Sequence, residues 1–100
     1  MPKLNIVVEH RLEEHEALVR VKRLLTETKN GYGDKVRDLR ESWEGNTGTF
    51  SFSVIGFAVS GTLKIEQNRV VLDGNLPWGA LIFKAQVEGT IRERATALLA

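Results

Sequence analysis

Residues 49–65 read Thr-Phe-Ser-Phe-Ser-Val-Ile-Gly-Phe-Ala-Val-Ser-Gly-Thr-Leu-Lys-Ile. Phe50, Phe52 and Val54 alternate with Thr49, Ser51 and Ser53. Beyond Gly56, Phe57, Val59, Gly61, Leu63 and Ile65 alternate with Ala58, Ser60, Thr62 and Lys64. A period of two belongs to a strand with one face in a core and the other in water. Gly56 interrupts it as a bend, a bulge or a tight hairpin. Two such strands in succession predict a sheet whose single apolar face must be covered by something else.

The same alternation extends in both directions. Upstream, Leu39, Glu41 and Trp43 alternate within Val36–Glu44, and Gly45-Asn46-Thr47-Gly48 follows as a turn cluster. Downstream, Gln67-Asn68 fits a two-residue hairpin connection, after which Val70, Leu72, Gly74 and Leu76 continue the apolar face. Leu4–Glu9 is a short β-branched run with Leu4, Ile6 and Val8 on one side. The strands therefore predict an antiparallel meander plus one N-terminal strand.

Two segments carry helical spacing instead. From about Leu12 to Lys29, Leu18, Val21 and Leu25 form a stripe widened by Ala17 and Leu24. Glu13, Glu14 and Glu16 lie at its start, and Lys22, Arg23 and Lys29 toward its end, an order that complements the helix dipole. Asn30-Gly31 and Gly33 should stop it. After Pro77, Ala80, Phe83, Val87, Ile91, Ala95 and Leu98 recur on one side of a terminal helix, with Glu88 and Arg92 spaced for an i,i+4 pair. The expectation is a single α+β domain over residues 1–100, a two-layer sandwich of order β-α-β-β-β-β-α, with the meander packed against two helices.

Composition narrows the function. The 100 residues are 42% apolar and 27% charged, and 14 Lys and Arg face 13 Asp and Glu with the signs interleaved. That balance suits a globular chain and lacks the basic block that neutralises phosphates, which argues against a nucleic-acid partner. The absence of cysteine removes disulfides and thiolate chemistry and fits a reducing compartment. The N-terminus has no signal-peptide apolar region, and no run approaches the roughly 20 apolar residues of a transmembrane segment, so a cytoplasmic location is expected.

Candidate chemistry is sparse. His10 and His15 stand five apart, where zinc on a helix needs histidines about one turn apart, so exposed histidines at the helix start are expected and no metal. Ser51, Ser53 and Ser60 read as the polar half of strands, since the G-x-S-x-G elbow is absent. Gly31-Tyr32-Gly33 lacks the third glycine of a phosphate loop, because Val36 takes its place. Asp34, Asp38, Glu41 and Glu44 read as surface charges, with nothing to keep one protonated for acid catalysis. No catalytic residue and no cofactor is expected, and the chain reads as a binding protein and not an enzyme.

One segment exceeds what a covering helix needs. In Leu76-Pro77-Trp78-Gly79-Ala80-Leu81-Ile82-Phe83, the residues Trp78, Leu81 and Ile82 lie off the Ala80, Phe83, Val87 stripe. Either they pack beneath the first helix or around the end of the sheet, or they form an apolar contact surface. Gly89, inside the last helix, costs roughly 1 kcal/mol relative to alanine, which close approach of a neighbouring backbone would explain.

Trp43-Glu44-Gly45-Asn46-Thr47, the run Gly56 to Leu63, and Leu76-Pro77-Trp78 followed by Phe83-Lys84 together resemble the polyhydroxyalkanoic acid system family. Tyr32-Gly33-Asp34-Lys35 and the closing Ile91-Arg92 to Leu98-Leu99 extend the likeness over nearly the whole chain. The resemblance implies a bacterial cytoplasmic protein tied to polyester metabolism largely through gene neighbourhood, with no catalytic residues to carry over. His10-Arg11 stands where similar sequences often place a serine cap. With the resemblance, the leading reading is a non-enzymatic accessory protein acting through an apolar surface at Trp78, Leu81 and Ile82, with Trp43 a weaker contributor. Its partner would be a polyester granule surface or a granule-associated protein, and a homodimer is compatible. The rival is a small carrier holding an apolar ligand, such as a lipid or acyl group, in a sheet-helix cleft lined by Phe50, Phe52, Phe57 and Phe83.

Overall fold

A computed structural model of the protein describes residues 3–27, 36–54 and 56–100. Its elements are strand β1 (Lys3–Glu9), helix α1 (Glu14–Glu27), strands β2 (Val36–Glu44), β3 (Thr47–Val54), β4 (Phe57–Ile65) and β5 (Arg69–Asn75), a 3₁₀ helix (Trp78–Phe83) and helix α2 (Lys84–Leu98). The expected β-α-β-β-β-β-α order holds, with the terminal helix divided into a 3₁₀ and an α part. The expected stop of the first helix at Asn30, Gly31 and Gly33 lies outside the described residues.

The five strands form one antiparallel sheet in the order β1-β5-β4-β3-β2. The turns follow from their residues. Glu44 pairs with Thr47 across Gly45-Asn46, and only Gly45 of the two takes a positive φ, 61°, the pattern of a type II′ hairpin turn. Val54 pairs with Phe57, so the interruption at Gly56 is a tight hairpin. Asp38, at φ 55°, lies in a β2 bulge where Asp38 and Leu39 together span the step between the Arg37–Ser53 and Arg40–Ser51 pairs. Aspartate tolerates that left-handed conformation better than most residues, and the bulge twists an edge strand away from further pairing.

The register fixes which side is core. Leu4 sits opposite Gly74, Ile6 opposite Leu72 and Val8 opposite Val70, while Leu63 faces Leu72 and Ile65 faces Val70 on the other flank of β5. All of these share one face. Ala17, Leu18 and Val21 of α1, with Ala80 and Leu99 around α2, join them in a single buried cluster, so both helices lie on the same side of the sheet. The opposite face carries Thr49, Ser51, Ser53, Ser60, Thr62 and Asp73, with no helix over it among the described residues.

The helices are held differently. α1 buries three side chains outright, and its start is tied to the β2–β3 turn by Asn46 Nδ2, which donates to Glu14 Oε1 at 2.7 Å. α2 has no fully buried residue; Val87, Ile91, Ala95 and Leu98 are half-buried against the cluster. Polar clasps supplement this packing. Arg20 Nη1 donates to the carbonyls of Leu98 at 3.0 Å and Ala100 at 3.2 Å, satisfying orphan acceptors at the helix end. Arg92 Nη1 donates to the Val7 carbonyl of edge strand β1 at 3.1 Å, so it caps the sheet edge in place of the expected pair with Glu88, which instead has Lys84 Nζ 3.8 Å away. Gly89 has open space around it, with nothing within 4 Å of where a Cβ would stand, so no close backbone approach explains it.

Candidate functional site

The chain leaves the sheet at the end of β5 and turns over the core through Leu76–Phe83. Leu76 and Ala80 point inward, 1% and 3% exposed, and Phe83 packs half-buried with its ring centroid 6.3 Å from that of Phe57. Pro77, at φ −63° and ψ 153°, sets the extended entry, and its carbonyl accepts from Ala80 N at 3.0 Å. Gly79 lies so close to Phe57 that a Cβ there would stand 3.2 Å from the ring. These contacts fix the backbone of the turn.

With the inward positions taken, the others have only one direction left. Three residues per 3₁₀ turn align Trp78 with Leu81 on one edge, and Ile82 adjoins them. Trp78 is 69% exposed, Leu81 45% and Ile82 83%. The surplus apolar residues of this segment therefore do not pack beneath α1 or around the end of the sheet. They stand outward as one patch on a backbone anchored from below. Val7 is the one further large apolar residue exposed among those described, on the outer face of β1.

Trp43 does not join them. It is half-buried over the β2–β3 pairing, its ring covering Gly48 so closely that a Cβ there would stand 2.8 Å from it. Its Nε1 donates to Glu41 Oε1 at 2.9 Å, and Lys22 Nζ of α1 sits 5.2 Å from the ring centroid, a cation–π contact. Glu41 is thus a half-buried structural partner on the inner face and not the surface charge the sequence suggests. Of the four phenylalanines, Phe50 belongs to the buried core and stacks on Phe52 at 5.9 Å, while Phe52, Phe57 and Phe83 are only half-buried at its margin.

His10 also departs from expectation. It is 7% exposed, with Nε2 donating to the Glu66 carbonyl at 3.0 Å and Nδ1 accepting from Leu12 N at 3.1 Å. Those bonds join the end of β1 to the β4–β5 turn and close a side-chain turn over Leu12 ahead of α1. His15 is exposed, as expected. Among the described residues no group of histidines and acids is placed to hold a metal. On that β4–β5 turn, Arg69 Nε donates to Glu66 Oε1 at 2.7 Å, and the bond, with the carboxylate's charge, raises the arginine above its ordinary pKa.

The family model described as “Putative polyhydroxyalkanoic acid system protein” matches residues 4–99. The chain belongs to this family. No curated protein sequence matches it. Among solved structures, this polyhydroxyalkanoic acid system family member is similar to the crystal structure of TTHA0849 from Thermus thermophilus, at 15% identity and a TM-score of 0.41, covering 98% of this chain and 92% of that one. Among the described residues no helix is long and apolar enough to cross a membrane.

Proposed function

We propose that this protein is a non-catalytic accessory protein of the polyhydroxyalkanoate system that docks on the apolar granule surface through Trp78, Leu81 and Ile82. The observation that carries the reading is the outward display of those three side chains on a turn whose Leu76, Ala80 and Phe83 are held from inside. Burying their exposed fractions against an apolar phase is worth roughly 5 kcal/mol in gross terms, at about 1.5–3 kcal/mol for each fully buried side chain. Part of that gain is offset by the loss of rotational and translational freedom on docking. A preformed turn keeps the further ordering cost small.

Fractionation of a polyester-accumulating bacterial lysate tests the reading. The protein pellets with granules and stays there in high salt, because apolar contact is not screened as surface charge is. A protein that remains in the soluble fraction refutes granule docking. The half-burial of Phe52, Phe57 and Phe83 favours the second reading, a carrier for a small apolar ligand at that margin. A lipid or acyl mass retained on the purified protein in native mass spectra supports it, and a clean protein mass counts against it.

A further inference from the structure

We infer that Trp78 does more than supply apolar area: its indole N–H donates to ester carbonyl oxygens of the polymer on which its ring lies. The inference rests on the docking reading above and names the chemistry by which the surface is recognised. The chain's two tryptophans are treated differently by the fold. Trp43 has its indole N–H satisfied by Glu41 inside the protein, whereas the Trp78 indole N–H has no hydrogen-bond partner among the described residues. The side chains of the patch contain a single polar atom, that nitrogen, and it can only donate.

The complementary surface is therefore apolar and bears acceptors. A polyester meets both demands, since its alkyl groups take the faces of Trp78, Leu81 and Ile82 and its ester carbonyls take the N–H. A pure hydrocarbon meets only the first, and the indole would lose its water there with nothing in return. Tryptophan suits a boundary of this kind because its ring is apolar and its edge is polar. The anchored backbone on either side of the residue, Pro77 at φ −63° and Gly79 against Phe57, presets where the ring sits.

The test compares the purified full chain with its W78F and I82S variants. Equilibrium adsorption is measured on amorphous polyhydroxybutyrate particles, hexadecane droplets and phosphatidylcholine vesicles. One net hydrogen bond corresponds to about a threefold to tenfold change in affinity. W78F is expected to bind the polyester weaker by that factor and the hexadecane at least as tightly as wild type does, while I82S weakens on both. Undiminished binding of W78F to polyester, or an equal loss on hexadecane, overturns the inference but leaves docking intact as long as I82S is weakened. If neither substitution affects adsorption to polyester, docking through this turn fails as well. Tighter binding of the wild type to vesicles than to polyester overturns the assignment to the polymer and points to lipid esters.

Discussion

Replacing Gly61 with alanine should remove much of this protein's stability margin. Gly61 of β4 faces Gly74 of β5, and a Cβ on Gly61 would stand 2.1 Å from the Asp73 carbonyl oxygen and 2.6 Å from the Gly74 Cα. Both obstacles are backbone, so no rotamer change relieves the clash. The two central strands would have to part locally, losing ladder bonds beside Leu4 and Val59, two of the most buried side chains. Overpacking by itself costs about 1–3 kcal/mol, and strand separation brings the expected loss to at least about 3 kcal/mol. A 100-residue domain has about 5–15 kcal/mol in total, and each kcal/mol moves Tm by about 4–8 °C at this size. Thermal unfolding followed by circular dichroism should therefore show Tm lowered by at least about 12 °C, or no cooperative transition. A G61A variant melting within about 2 °C of wild type would refute the close-approach argument, since that shift corresponds to less than about 0.5 kcal/mol.

The same substitution at Gly89 should have the opposite sign. With open space around it on an exposed helical position, G89A gains up to about 1 kcal/mol of helix propensity, read as a Tm raised by about 4–8 °C; a lowered Tm contradicts it. H10A leaves the Glu66 carbonyl and the Leu12 N–H without their partner and should cost about 2–4 kcal/mol in urea unfolding, an unchanged midpoint being the contrary result. W43A uncovers Gly48 and removes contacts to Glu41 and Lys22, so it should destabilise by about 2 kcal/mol. The folded fraction should still adsorb to granules like wild type, and lost adsorption would bring Trp43 back into the docking surface.

The sheet was legible because its alternation is regular. Phe50, Val59, Leu63 and Ile65 follow period two and are buried, and the glycines at 45 and 56 mark hairpins that only need local backbone freedom. The β2 bulge at Asp38 was not legible, because it replaces no residue and merely shifts the register by one. The apolar turn was half legible: spacing showed that Trp78, Leu81 and Ile82 lie off the covering stripe, but periodicity cannot say whether another element reaches them. Tertiary placement decided that, as it did for His10. A histidine in a charged stretch reads as exposed, and only the approach of the β4–β5 turn to the end of β1 supplies the carbonyl that makes burial tolerable. Glu41 carried a signal that could have been used, since it shares parity with Leu39 and Trp43 and so had to face inward. Arg92 carried none, because its partner is a backbone carbonyl 85 residues away.

The central claim is that the exposed turn is the docking element. Its most direct test is co-sedimentation of purified wild-type protein and a W78S/I82S double variant with amorphous polyhydroxybutyrate particles, with circular dichroism confirming that both are folded. The variant removes roughly 4 kcal/mol of the gross apolar gain, so its affinity should fall by more than about hundredfold while its Tm stays within about 4 °C of wild type. Equal sedimentation of the two folded proteins would contradict the account.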